Sequence, residues 1–229
     1  MLLLVHMFVR RFTKAILFLA IPFLSGGISF FIVKSLQSPA TQLRAASADA
    51  IKILPQEPFV LAGQETALTE PVPEFKARIT KKAFGTFITP ETSPVQPDRF
   101  KGFHTGIDVE FTDISDDIQV RAITDGTLVL SRFASGYGGV VVIRHEIAGK
   151  PYIVLYGHLD PGSMPPTDKV HVAAGEVIGV LGEGFSQETD GARKHLHFSV
   201  RSGNDLDIRG YVDEANELSA WIDPLLLYQ

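Results

Sequence analysis

The sequence of 229 residues contains no cysteine, which removes several options at once. Disulfide bonds, thiolate zinc sites and a lipid-modified N-terminal cysteine are all excluded. Any transition-metal site must therefore use histidine and carboxylate side chains. The sequence also lacks a His-Glu-x-x-His segment, so the helical zinc site that this pattern forms is excluded as well.

Basic residues are scarce outside the N-terminal region. Residues 1–34 contain four lysines and arginines and no acidic residue, whereas residues 35–229 contain 17 basic and 26 acidic side chains, a net charge of −9. Nucleic-acid binding depends on a basic surface. We therefore predict that nucleic acid is not a partner.

The N-terminal region contains an uncharged segment of 19 residues, Ala15–Val33, which follows Arg10, Arg11 and Lys14 and precedes Lys34. As a helix it would span ~28 Å, close to the ~30 Å hydrocarbon core of a membrane. The basic cluster predicts that the N-terminus lies inside. We therefore predict that residues 1–34 form a single transmembrane anchor in the cell membrane, with the rest of the chain extracytoplasmic.

A cleaved signal peptide is the main alternative, and it would make the protein secreted. The nearest small-x-small site is Ala46-Ser47-Ala48, about a dozen residues beyond the apolar segment, which is too far for this reading to be preferred. Residues 35–73 contain five scattered prolines, which predicts an extracytoplasmic linker.

Residues 74–229 have the pattern of a β-rich domain. Short runs rich in Val, Ile, Phe and Tyr alternate with Gly- and Asp-containing turns, which is typical of an all-β sandwich or antiparallel sheet. The predicted strands are Ala77–Thr80, Thr105–Phe111, Val120–Ile123, Gly126–Phe133, Gly139–His145, Tyr152–His158, Val177–Leu181 and His195–Arg201. One short helix is predicted over Asp213–Trp221.

The last predicted strand contains a His-x-His pair, His195 and His197. Alternation places the pair and Ser199 on one face of the strand. Leu196, Phe198 and Val200 lie on the other face, which is apolar and must pack against a core. Two histidines ~6.6 Å apart suit two linked tasks, in which one ring binds a metal and the other faces the metal's ligand. Two partly exposed strand histidines are the plainer interpretation of the pair alone.

Two further segments carry candidate site residues. In His104-Thr-Gly-Ile-Asp108 the two polar side chains would lie ~13 Å apart on a straight strand, so the segment must bend, and Gly106 permits the bend. His104 is then expected in a loop and Asp108 on the strand that follows. His158 lies at a strand end beside a Pro/Gly-rich loop, where catalytic residues are common. Each residue taken singly has a plainer interpretation. His104 would be a surface histidine, Asp108 a capping aspartate and His158 a buried, hydrogen-bonded histidine.

Together, two histidines and one aspartate would form a zinc site with a fourth position open for water. Such an ion lowers the pKa of the water toward ~7, and the remaining histidines would handle the proton and stabilise the oxyanion. His145 and His171 are predicted to be structural. Arg193 and Lys194 flank the site and would either grip a substrate carboxylate or, more plainly, be solvated charges.

These segments resemble the LytM/lysostaphin-type M23 metallopeptidases. The resemblance extends from about Phe75 to Leu227 and includes Gly136–Val140 and Trp221–Pro224. It implies a compact antiparallel β domain with zinc in an open groove, and activity on peptide bonds of bacterial peptidoglycan. One departure is the loop Gly182–Lys194, which replaces a Gly-Pro pair that often precedes His-x-His in the family and leaves the substrate preference open.

By that resemblance, His104, Asp108 and His197 would bind one zinc ion, while His195 and His158 would act as general base or transition-state stabilisers. The complete set favours an active zinc endopeptidase that cuts peptidoglycan stem peptides or cross-links. Two alternatives remain open: a non-hydrolytic module that binds the wall or activates a hydrolase, and a zinc peptidase that acts on another protein.

Overall fold

The computed structural model of the chain describes residues 67–229, which form twelve β-strands and two short 3₁₀ segments. The strands are β1 Phe87–Ile88, β2 Gly102–His104, β3 Gly106–Glu110, β4 Gln119–Arg121, β5 Gly126–Ala134, β6 Gly138–Ile147, β7 Lys150–Leu159, β8 His171–Val172, β9 Val177–Val180, β10 His195–Ser202, β11 Tyr211–Val212 and β12 Trp221–Ile222. The 3₁₀ segments are Ala215–Ala220 and Pro224–Tyr228. Every pairing is antiparallel, which confirms the predicted all-β antiparallel class.

The predicted membrane anchor and most of the predicted linker lie outside the described residues. Within residues 67–229, no helix combines the length and the apolar character that crossing a membrane requires. The end of the predicted linker is visible and lies against the β domain, because Thr69 donates a backbone hydrogen bond to Ile123 and Arg121 donates one to Pro71. Val72 is buried in the main core.

Strand β10 is an interior strand of the main sheet, one strand in from its edge. It pairs with β7 on one side, and β3 and β12 share its other edge. Strands β6, β5 and β8 continue the sheet beyond β7. The remaining strands form a three-stranded sheet, β1-β2-β11, and the pair β4-β9.

The predicted alternation along β10 is confirmed. Leu196, Phe198 and Val200 are fully buried in the main core, so the histidine face points the other way. Strand β6, on the far side of β7, is apolar on both faces, because Val141 and Ile143 enter the main core while Val140 and Val142 enter a second cluster around Tyr137. Strand β10 is itself buried on both faces from His195 to Val200, so close packing limits where its histidines can point.

Two local predictions differ from the structure. Ala77–Thr80 is not a strand: the chain turns there, Arg78 donates its backbone N–H to the carbonyl of Glu74, and its guanidinium pairs with Glu74 and Asp113. Phe75 anchors this turn in the core, 5.6 Å from Phe198 in an edge-to-face contact. The predicted helix over Asp213–Trp221 is shorter, a 3₁₀ segment that ends before Trp221 enters β12.

A close backbone approach at Gly138 joins the β5–β6 turn to the loop that precedes β10. The φ angle of Gly138 is +77°, and a Cβ atom there would lie 1.7 Å from the carbonyl oxygen of Glu188. We predict that Gly138→Ala lowers the free energy of unfolding by roughly 2–5 kcal/mol, since left-handed strain and a steric clash add. Urea denaturation measures the loss.

Gly149→Ala is the matched control for this substitution. Gly149 has a similar φ of +72°, but an added Cβ would meet nothing within 4 Å. Only the left-handed strain of ~1–2 kcal/mol applies there. Equal losses in the two variants would show that the contact with Glu188 contributes nothing.

Candidate metal centre

His104 and Asp108 lie on two short strands separated by one residue. His104 is the last residue of β2, so the prediction that it lies in a loop is wrong; the chain changes sheets at Thr105. Thr105 is fixed there because its backbone N–H donates to Gly210 and its hydroxyl donates to the carbonyl of Arg209. This break swings His104 towards Asp108, which a continuous strand would not do.

Gly106 serves the site through its small size. A Cβ atom at this position would lie 2.5 Å from the carbonyl oxygen of Phe198 and 3.1 Å from Nε2 of His197. Any side chain would therefore push β3 away from β10. The glycine predicted to allow a bend instead allows the two strands to approach.

The register of β3 against β10 sets the other half of the site. Asp108 lies directly opposite His197, and Glu110 lies opposite His195. Directly opposed residues project to the same face of a sheet. Two residues distant in sequence, Asp108 and His197, therefore meet because of backbone pairing alone.

Three ligand atoms converge at this point. His104 Nε2 lies 3.0 Å from His197 Nδ1, and Asp108 Oδ1 lies 3.2 Å and 3.1 Å from these two nitrogens. A tetrahedral zinc ion, with ligand bonds of ~2.0–2.1 Å, separates its ligands by ~3.3–3.4 Å. The three side chains are buried and are close enough to hold one such ion.

Hydrogen bonds fix the ring of His104. Its Nδ1 lies 3.2 Å from the carbonyl oxygen of Ala83, which can only accept, so Nδ1 carries the proton and Nε2 keeps its lone pair for a metal. The backbone of Asp108 is fixed from the same segment, because its N–H donates to the carbonyl of Lys82 at 3.0 Å. No sequence pattern signals this support, because any residue supplies a backbone carbonyl.

The second oxygen of Asp108 faces away from the three-atom cluster. Oδ2 accepts from Arg193 at 2.9 Å and lies 3.5 Å from His195 Nε2. Burial opposes ionisation of Asp108, but its contacts with the imidazoles of His104, His195 and His197 hold its pKa well below the usual range. The aspartate is therefore a carboxylate at neutral pH.

Arg193 and Lys194 are not solvated charges, and the plainer prediction for both is wrong. Their exposed fractions are 6% and 5%. Arg193 donates to Glu110 through Nε at 2.8 Å as well as to Asp108, and Lys194 donates to the carbonyl of Asp116 at 2.8 Å. The polar contacts of both side chains are thus made within the protein.

His158 reaches the site through a β-bulge. The register of β6 against β7 shifts between Gly139 and Val140, and His158 is the extra residue, with φ at +65°. Bulges re-aim side chains, and a strained non-glycine residue is common at functional sites. The His158 ring lies 4.2 Å from that of His195, and its Nδ1 is buried without a hydrogen-bond partner among residues 67–229.

His195 lies between Asp108 and His158. Its Nδ1 is 2.8 Å from the carbonyl oxygen of Arg193, so Nδ1 carries the proton and Nε2 has a lone pair. Burial lowers the pKa of His195 well below its usual value, and the proximity of His158 lowers it further. Burial, followed by the proximity of His197, lowers the pKa of His158 to about 3.

These shifts predict a pH dependence for the stability of the metal-free protein. Below pH ~6.5 unfolded histidines bind protons, whereas folded His158 does so only near its pKa of about 3, so stability falls as the pH falls between these values. From pH 7 to pH 5 the loss attributable to His158 is about 2 kcal/mol. Urea denaturation of the chelator-treated parent and of His158→Gln measures this loss. Between pH 7 and pH 5 the free energy of unfolding should fall by about 2 kcal/mol less in the variant than in the parent. Identical pH profiles would contradict the prediction.

Tyr137 is a site neighbour that sequence reasoning did not single out. Its ring lies 5.6 Å from that of His158 and 5.3 Å from that of His197, and its hydroxyl is buried without a partner among the described residues. The sequence signal was available in the Gly136–Val140 segment, but a tyrosine in a turn is usually an ordinary surface residue. Here Tyr137 packs against both His158 and His197, which are two of the five candidate site residues.

The other two histidines of residues 67–229 lie apart from this cluster. His145 is buried in the core, with Nδ1 2.9 Å from the carbonyl of Asp125 and Nε2 3.3 Å from the hydroxyl of Tyr156. These contacts are those of a structural histidine. His171 is exposed on β8.

The geometry defines a candidate mononuclear centre of two histidines and one aspartate in an antiparallel β domain. Residues 102–208 match the model of peptidase family M23, and the chain therefore carries an M23-family peptidase domain. The resemblance inferred from the sequence is confirmed. All five candidate site residues lie within the matched range.

Individual relatives match parts of the chain. The murein hydrolase activator EnvC of Escherichia coli (strain K12) is 33% identical over 87 residues, which are 38% of this chain and 19% of EnvC. The structure of Helicobacter pylori Csd3 is similar with 22% identity and a TM-score of 0.44, over 71% of this chain and 34% of Csd3. A zinc-containing peptidase from Vibrio cholerae has 25% identity and a TM-score of 0.40, over 59% of this chain and 37% of that one. The chain therefore spans only a minor part of each of these relatives.

Proposed function

We propose that the domain is a zinc-dependent endopeptidase that hydrolyses peptide bonds in bacterial peptidoglycan, in stem peptides or in cross-links. The observation that supports it is the convergence of His104 Nε2, Asp108 Oδ1 and His197 Nδ1, with two more imidazoles beside them. Membership of family M23 supports the peptidase chemistry. These three residues would hold one zinc ion.

A zinc ion held there would supply a water of lowered pKa and polarise the substrate carbonyl. In this proposal His195 takes the proton at Nε2, the nitrogen that carries the lone pair. The carbonyl of Arg193 keeps the opposite ring nitrogen protonated, so the imidazolium that forms remains oriented. His158, in ring contact with His195, stabilises the negative charge that develops on the substrate oxygen.

Zinc analysis of the purified full-length chain, followed by digestion of isolated peptidoglycan, tests the proposal. The expected result is one zinc ion per chain and the release of peptide fragments that mass spectrometry identifies. The fragments would also define which bond is cut. Full zinc occupancy without release of any fragment would contradict the proposal.

A second candidate function is activation of another wall hydrolase without hydrolysis by this domain. The match to EnvC, whose name describes an activator, favours it, as does the unusual loop Gly182–Lys194. Complementation of a deletion strain with His195→Ala separates the two functions. Full complementation by this variant would favour activation, whereas failure by a folded variant would favour catalysis. A protein substrate would appear instead as cleavage of proteins and not of muropeptides.

We also propose that residues 1–34 anchor the protein in the cell membrane with the N-terminus inside. The uncharged segment Ala15–Val33 and the basic residues before it support this location. Recovery of the intact chain with the membrane fraction is the expected result of cell fractionation. A soluble chain that begins after Ala48 would support the secreted alternative.

A further inference from the structure

We infer that Arg193 is a positioning residue that holds the candidate metal ligand Asp108 in a one-oxygen orientation. This inference rests on the proposed zinc site. Arg193 donates to Asp108 Oδ2 at 2.9 Å, while Oδ1 of the same carboxylate faces His104 and His197. The guanidinium thus occupies the oxygen that the three-atom cluster does not use.

Strand geometry explains how one arginine reaches this carboxylate. Asp108 and Glu110 are two residues apart on β3 and therefore project to the same face. Arg193 lies just before β10, and the hydrogen bond from the Phe111 N–H to the carbonyl of Lys194, 3.0 Å long, continues the pairing of the two strands to this point. The guanidinium then lies over both carboxylates.

Glu110 fixes the guanidinium itself. It accepts from Arg193 Nε at 2.8 Å and from a terminal nitrogen at 2.5 Å, the paired geometry that planar guanidinium and carboxylate groups favour. All three side chains are buried. Because Glu110 offsets the charge of Arg193, Asp108 is oriented without a net positive charge being placed beside a cation site.

Arg193 also fixes His195 through its main chain. The carbonyl oxygen of Arg193 accepts from His195 Nδ1 at 2.8 Å, and His195 Nε2 then faces Asp108 Oδ2 at 3.5 Å. One residue therefore positions a candidate metal ligand with its side chain and a candidate base with its backbone. A side-chain substitution removes only the first of these two contacts.

The test is the zinc affinity of the folded, full-length Arg193→Met variant, measured by competition with a chromogenic chelator. Loss of a residue that orients a metal ligand typically weakens metal binding ~10–100-fold, and we expect a loss in this range. Arg193→Lys keeps the charge but cannot bind both carboxylates as a planar fork, so its affinity should lie between those of Arg193→Met and the parent. If Arg193→Met does not fold, as judged by near-UV circular dichroism, Arg193→Lys alone decides.

Lys194→Met is the matched control, since Lys194 is an adjacent buried cation whose contacts are to the carbonyls of Ser115 and Asp116. We expect this variant to bind zinc as the parent does. Parental zinc affinity in Arg193→Met, or equal weakening in Lys194→Met, would overturn the inference. A parent protein that binds no zinc would instead overturn the proposed function, so the two failures are distinguishable.

Discussion

Replacing His104 with alanine is expected to abolish stoichiometric zinc binding and, with it, hydrolysis of peptidoglycan. The proposed site has three protein ligands, so the variant would retain only a carboxylate and one imidazole. The loss of zinc affinity should exceed the ~10–100-fold that removal of a partner outside the ligand set causes. Equilibrium dialysis followed by elemental analysis gives the affinity, and release of muropeptides gives the activity.

His171→Ala provides the control for this prediction. His171 is exposed on β8, outside the three-atom cluster, so this variant should retain both zinc and activity. His104 is buried and its ring packs against that of His197, so folding of His104→Ala must be checked by circular dichroism. Stoichiometric zinc in folded His104→Ala would show that the ion binds elsewhere.

The alternation of β10 shows what a local pattern can predict. The side chains of Leu196, Phe198 and Val200 enter the core because strand residues alternate between faces, and this period is readable from eight residues. The same alternation places the two histidines of β10 together on the opposite face. Elements of two or three residues, such as β2 and β8, are too short to produce a pattern, and they were not predicted.

The meeting of the candidate ligands depends on pairing that no single segment contains. His-x-x-x-Asp suggested a bend, but the structure separates His104 and Asp108 onto two different sheets with Thr105 between them. The opposition of Asp108 and His197 is a matter of strand register. Resemblance to a family of known fold predicts that these residues lie together, whereas residue spacing alone does not.

Arg193 illustrates a different limit of sequence reasoning. Two adjacent basic residues in a loop usually indicate solvated charge, because burying a cation is unfavourable unless it is paired. The partners that make burial possible, Asp108 and Glu110, are more than eighty residues away in the chain. The ion pairs become visible only when β3 lies beside β10.

Replacing His195 with alanine is expected to separate metal binding from catalysis. In the proposed mechanism His195 moves a proton and binds no metal, so the zinc affinity should stay near the parental value. General acid–base catalysis contributes ~10²–10⁴-fold, and kcat should fall by a factor in this range. The measurement is the initial rate of muropeptide cleavage at saturating zinc and substrate.

His158→Ala extends the same test to the second imidazole. The two rings lie 4.2 Å apart, so they would act on one substrate group, and the double variant should lose less than the product of the two single losses. Independent residues would instead give multiplicative losses. Unimpaired cleavage by zinc-loaded His195→Ala would remove His195 from the mechanism and leave His158 as the remaining candidate base. Loss of zinc from His195→Ala would move His195 into the ligand set, where β10 already supplies His197.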